Sequence, residues 1–180
     1  MSQLVLDRPR TVTPSLHPTA PADLPVEVAD ATGIDAPRTF RPQTEIALVL
    51  AAARADVVHL AFSSTVPTVE AMRALVRVLD EEIAAVGRDR SSVRVVVEIE
   101  VVPTVDVASA RRKRSQLEHL DALAGLTWSP SATRIVSGPA DVVAEASLLA
   151  ASVGADAAVL VPLVSGPATD ALRELTRAAA

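Results

Sequence analysis

Two glutamates, Glu98 and Glu100, stand two residues apart inside an otherwise apolar run, VRVVVEIEVVP, at residues 93–103. On a β-strand such positions share a face, with Cα atoms about 6.5–7 Å apart. Paired carboxylates at that spacing suit general acid–base work. The competing reading is a charged surface, solvated or paired with Arg94. His59 lies inside a second apolar run, DVVHLAF at residues 56–62. A buried, hydrogen-bonded imidazole is the first expectation there, ahead of a catalytic base or ligand. Ser63, Ser64 and Thr65 follow that run, at the strand end where parallel α/β folds place their sites. Ser137 and Gly138 open a helix whose free N–H groups suit an anion, although a plain helix cap explains them equally. The other histidines, His17 and His119, are remote from these positions in the chain. No histidine cluster has metal-ligand spacing, so no metal is expected. GxGxxG, Walker and GxSxG patterns are absent from the sequence.

The elements that carry these residues follow from periodicity. In the 93–103 run the odd positions are all apolar, and the even ones are Arg94, Val96, Glu98, Glu100 and Val102. That is a β-strand with one apolar and one mixed face. A strand covered by helices on both sides would be apolar on both. Glu98 and Glu100 are therefore expected to face a lumen, a partner or water. Helical patterns flank this strand, and helix–strand–helix order predicts βαβ units and a parallel sheet. Residues 44–53 read as a helix with Thr44 as cap. Pro67 is read as a first-turn proline of a helix whose apolar face runs Val69, Met72, Leu75, Val76, Leu79, Ile83 and Val86, closed by Gly87. Asp106 is read as the N-cap of a helix to residue 124, with Arg111, Arg112, Lys113 and Arg114 on its solvated surface. A loop with Trp128 follows, then a short strand at 134–137. A helix from Pro139 to Val153, a buried strand at 157–163 and a closing helix at 169–180 complete the chain. Residues 25–29 suit a short strand. Residues 1–24, rich in proline, are expected to form a flexible arm, and 25–180 a single α/β domain.

Composition narrows the classes further. The chain has 180 residues, 49% of them hydrophobic, with no Tyr, two Phe and one Trp. An aliphatic core is expected, and base stacking on aromatic faces is not. The net charge of −5 also argues against nucleic acid. With no cysteine, disulfides, thiolate ligands and Cys nucleophiles are excluded. No run reaches the roughly 20 apolar residues of a membrane helix, and the N-terminus has no apolar signal core. A cytoplasmic, soluble protein is expected.

Three segments, in order, resemble the luciferase-like flavin-dependent monooxygenase family, of the bacterial luciferase and nitrilotriacetate monooxygenase type. They are AAVGRDRSSVRVVVEI at 84–99, TVDVASARRKRSQLEHL at 104–120 and IVSGPADVVAEASLLAASVGADAAVLVPL at 135–163. Their order and spacing are similar to the family's C-terminal third. The resemblance implies a TIM (β/α) barrel, here partial or abbreviated, that binds reduced FMN and activates oxygen. It also implies a flavin reductase as partner. A whole barrel takes about 250 residues, so much of the N-terminal half is expected to be missing. The segment FRPQTEIALVLAAARADVVHLAFSSTV at 40–66 resembles an early barrel strand with its preceding helix. In that register Ser63, Ser64 and Thr65 match positions that face the flavin. A second register places AARADVVHLA at a later strand, and both remain open.

Two function classes follow. One is a flavin-dependent monooxygenase-type oxidoreductase, incomplete as an isolated chain. The other is a non-catalytic binding or assembly module derived from the same family. Either leaves strand edges and a lumen face to be covered, so a homo-oligomer or a partner chain completing the barrel is expected.

Overall fold

The computed structural model describes residues 24–29, 38–124 and 129–179. The proline-rich arm up to residue 23 and the loop around Trp128 lie outside the described residues. Six strands form one sheet: β1 (Val26–Val28), β2 (Thr39–Phe40), β3 (Val57–Ala61), β4 (Arg94–Pro103), β5 (Ile135–Ser137) and β6 (Ala157–Pro162). The helices are α1 (Glu45–Arg54), α2 (Val69–Ala85), α3 (Val107–Ala124), α4 (Pro139–Val153) and α5 (Pro167–Ala179). All strand pairs are parallel, as the alternation of helix and strand requires. The sheet is open rather than closed into a barrel, in the order β1-β6-β4-β3-β2 with β5 on β4.

β4 is the central strand, and its two edges are used differently. β6 runs along one edge from Val96 to Val101. β3 pairs with Arg94 to Glu98, and β5 pairs with Val101 to Pro103. Alternate residues of a parallel strand bond to opposite neighbours. The Val101 carbonyl accepts from Leu163 N–H at 3.0 Å, beside β6, whereas Thr104 N–H donates to the Ser137 carbonyl at 2.8 Å. Positions 101 and 104 differ in parity, so β5 lies on the edge that β3 vacates. Crossing from β4 back to that edge reverses the direction of the β3–α2–β4 step. A right-handed crossover then puts α3 on the opposite face from α2.

The packing agrees with that handedness. Helices α1, α2, α4 and α5 cover one face, where Val58, Leu60, Val95, Val97, Ile99, Val101, Ile135 and Leu160 form the main core with Met72, Leu79, Ile83 and Leu172. Every odd position of β4 from Val95 to Val101 is buried there. On the other face Val102 and Val136 form a small second core with Ala110 of α3. Val96 is also buried on that face, at 2% exposure, so it is less open than the sequence suggests.

Helix ends are set by local chemistry. Thr44 caps α1, accepting from Ala47 N–H at 3.2 Å. Asp106 accepts from Ser109 N–H at 2.6 Å ahead of α3. Thr68, not Pro67, begins α2: it is the N-cap and accepts from Ala71 N–H at 3.1 Å. Pro67 therefore lies outside the helix. Val86 is the C-cap of α2 and is 42% exposed, which removes it from the buried face. The two-residue strand β2 was not expected, being too short to show a period.

Candidate functional site

Alternation along three strands builds the site. With Val58 and Leu60 buried under the helices, His59 and Ala61 point to the opposite face. Ala61 is the register partner of Glu98 on one side, and Val159 is its partner on the other. Val161 is level with Glu100. A cleft of about 120 Å³ opens on this face, lined by Ala61, Phe62, Glu98, Glu100, Thr133 and Val161. It lies over the C-terminal halves of β3, β4 and β6, the end at which parallel α/β sheets carry their sites.

Both glutamates are held by arginine. Glu98 Oε1 accepts from Arg41 Nε at 2.6 Å and lies 2.8 Å from His59 Nδ1. Glu100 Oε2 accepts from Arg134 Nε at 2.9 Å and also from Arg134 Nη2. Arg94, expected to pair with these glutamates, instead donates to Glu27 at 2.8 Å. Burial raises the Glu98 carboxyl, but hydrogen bonds from His59 and Arg41 and the Arg41 charge outweigh it, leaving it below the ordinary glutamate range. An ionised carboxylate only accepts, so His59 carries a proton on Nδ1. In the neutral ring this leaves Nε2 as the acceptor. The arrangement is an imidazole oriented by a carboxylate, with that carboxylate standing in the cleft wall.

The remaining candidates do not join this cluster. Ser63 Oγ lies 3.0 Å from Thr65 Oγ1 and accepts from Val66 N–H at 3.3 Å. Ser63, Ser64 and Thr65 thus form a turn after β3, closed by backbone bonds between Ser63 and Val66. Ser137 is buried, and its hydroxyl donates to Glu145 Oε1 at 2.7 Å. Gly138 is the N-cap of α4, and Asp141 already supplies an acidic group to its first turn. Among the sequence candidates the structure therefore brings together His59, Glu98 and Glu100, while Ser137 bonds to Glu145 and Gly138 caps α4. Arg41, Arg134 and Thr133 join the site without having been singled out. Arg134 had a signal, since it shares parity with Val136 and hence a face with Val102. Arg41, in the RPQT stretch, had none.

Clefts that hold a whole cofactor usually measure about 300–1,000 Å³. At about 120 Å³ the open-face cleft is smaller.

No family model matches the chain, and no curated protein is similar to it in sequence. Solved structures do match its fold. EDTA monooxygenase (EmoA) from Chelativorans sp. BNC1 superposes with a TM-score of 0.56 at 13% identity, over 78% of this chain and 44% of that one. Riboflavin lyase (RcaE), solved with modified FMN and riboflavin, gives 0.55 at 14% identity, over 78% and 42%. Flavoprotein 390 gives 0.54 at 14% identity, over 77% and 62%. The chain spans less than two thirds of each of these relatives. The fold matches that of the luciferase-like enzymes the sequence resembles, in an open and abbreviated form.

Proposed function

We propose that this chain is an abbreviated homologue of the luciferase-like flavin-dependent oxidoreductases, of monooxygenase type, and that it supplies one wall of an FMN site. The observation that carries this reading is the placement of the Glu98/Glu100 cleft on the sheet face that α3 covers only in part, over the C-terminal halves of β3, β4 and β6. That is where the fold puts its chemistry. In this reading, supported by the small cleft volume, the opposite wall comes from further polypeptide. A second copy or a partner chain adding strands at the short outer strands β1 and β2 would supply it. Cytoplasmic residence, with reduced flavin delivered by a flavin reductase, belongs to the same proposal. In it Arg41 and His59 hold Glu98 ionised and fixed in the wall, and Arg134 positions Glu100 through two hydrogen bonds.

The test is a titration of the purified protein with FMN and with reduced FMN, followed by flavin absorbance and fluorescence, with the oligomeric state measured alongside. Saturable binding at a Kd near micromolar, about −8 kcal/mol, is expected, together with weaker binding in Glu98→Gln. Absence of binding up to about millimolar flavin, about −4 kcal/mol, would remove the oxidoreductase reading and leave the non-catalytic module.

A further inference from the structure

A second and larger cleft lies at the opposite end of the strands. It measures about 460 Å³ and is lined by Arg38, Phe40, Ala53, Arg54 and Arg88. Arg38 directly precedes β2, and Asp56 directly precedes β3, so the cleft sits at the N-terminal ends of these strands. Its volume falls within the usual range for small-molecule sites, about 300–1,000 Å³.

Three arginines line the cleft, and two of them approach one carboxylate. Arg38 Nη1 lies 3.6 Å and Arg88 Nη2 4.0 Å from the same oxygen, Asp56 Oδ1. Arg88 is fixed by donating to the Ala52 carbonyl at 2.9 Å and the Ser92 carbonyl at 3.3 Å, and its side chain is 22% exposed. Arg54, in the last turn of α1, is exposed and makes no ion pair among the described residues. Among the described residues two positive charges are left uncompensated at this spot, in a chain whose net charge is −5.

The backbone adds an independent sign. Arg38 has φ of 71°, a left-handed conformation that a bulky side chain rarely adopts. It is held by its carbonyl, which accepts from Asp56 N–H at 3.0 Å and Val57 N–H at 3.5 Å. A strained residue maintained at the rim of a charged cleft is the pattern seen where position serves a ligand.

We propose that this cleft binds an organic phosphate monoester, with the phosphoryl group between Arg38 and Arg54 and the apolar part against Phe40 and Ala53. A phosphate monoester carries about −1.5 to −2 at neutral pH, which matches the excess positive charge. Guanidinium forks suit phosphoryl oxygens in pairs. The site stands apart from the Glu98/Glu100 cleft and does not depend on the flavin reading.

The experiment is a calorimetric titration of the full chain with phenyl phosphate, compared with inorganic phosphate and phenol. Saturable binding of phenyl phosphate is expected, about tenfold or more tighter than inorganic phosphate, weakening with salt. Arg54→Gln and Arg38→Gln should each weaken it by about tenfold, since each removes one charge-assisted contact. Glu98→Gln should leave it unchanged, so failure here is distinct from failure of the flavin site. Saturation absent below about 10 mM, or wild-type affinity in Arg54→Gln, would overturn the proposal. Equal affinity for inorganic phosphate would overturn the role given to Phe40 and Ala53.

Discussion

His59 and Glu98 meet across β3 and β4, with Nδ1 2.8 Å from Oε1, on the oxygen that Arg41 also reaches at 2.6 Å. Their Cα atoms are not register partners. His59 is level with Val96, and Glu98 with Ala61, so the contact runs diagonally over one strand pair. Diagonal neighbours are about 7–8 Å apart at the backbone, within reach of long side chains. One carboxylate thus ties the edge-side Arg41 to a largely buried imidazole on β3.

Glu98→Gln keeps the shape but removes the charge. Arg41 and His59 then face an amide, and the substitution should cost roughly 1–3 kcal/mol, the usual size when one partner of a charged hydrogen bond is withdrawn from a covered site. Urea unfolding at neutral pH measures it. A variant as stable as the wild type would show that Arg41 and His59 find equal partners elsewhere.

Acid should destabilise the fold in a defined direction. Burial alone would raise the Glu98 carboxyl, yet the His59 and Arg41 contacts bring it below its ordinary value. The folded state therefore binds this proton less tightly than the unfolded chain does. Its stabilisation is complete above the ordinary glutamate pKa, about 4.3, and is lost as pH falls through the folded value. Asp106 adds in the same sense, held low by the backbone hydrogen bond from Ser109. Unfolding free energy measured from about pH 6 down to about pH 3 should fall, and fall less steeply in Glu98→Gln. Parallel curves for the two proteins would contradict the pairing.

Face was legible in the sequence and edge was not. The apolar parity of residues 93–103 specified which side chains of β4 enter the main core, because period two is a local property. The contact of His59 with Glu98 joins positions 39 apart in the chain and leaves no local trace. Arg94 was assigned to the nearest glutamates and meets Glu27 instead, since the β1 edge is brought in only by pairing with β6. Nor does any periodicity say that β5 returns to the β3 edge of β4. That choice moves α3 to the other face and buries Val102 with Ala110. The cleft at Arg38, Arg54 and Arg88 was illegible for the same reason: its arginines come from the connection before β2, the last turn of α1 and the connection after α2.

Truncation should separate the two faces of the sheet and its helix cover. Ile99 is fully buried in the main core, so Ile99→Ala should cost about 2–5 kcal/mol. Ile46, on α1, is 84% exposed, and Ile46→Ala should change stability by no more than about 0.5 kcal/mol. Thermal or urea unfolding of both variants checks the contrast. A large cost at Ile46 would reveal a surface that is covered in solution, by a second copy or another chain.

Two glycines end helices in the left-handed region, and their surroundings differ. Gly154 closes α4 with φ of 83°, and a Cβ there would stand 3.7 Å from Val76 Cγ1, an ordinary contact. Gly87 follows α2 with φ of 74°, and a Cβ would meet nothing within 4 Å. Neither site is short of space, so only the backbone penalty remains in each. Gly154→Ala and Gly87→Ala should therefore both lose about 1–2 kcal/mol, and by similar amounts despite the difference in packing. Gly→Asn at either position should lose less, because asparagine tolerates this region. Unfolding midpoints for the four variants test the argument. If Gly154→Ala proved several kcal/mol worse than Gly87→Ala, the Val76 contact rather than the backbone would set the cost, and α2 and α4 would pack more rigidly than ordinary van der Waals spacing implies.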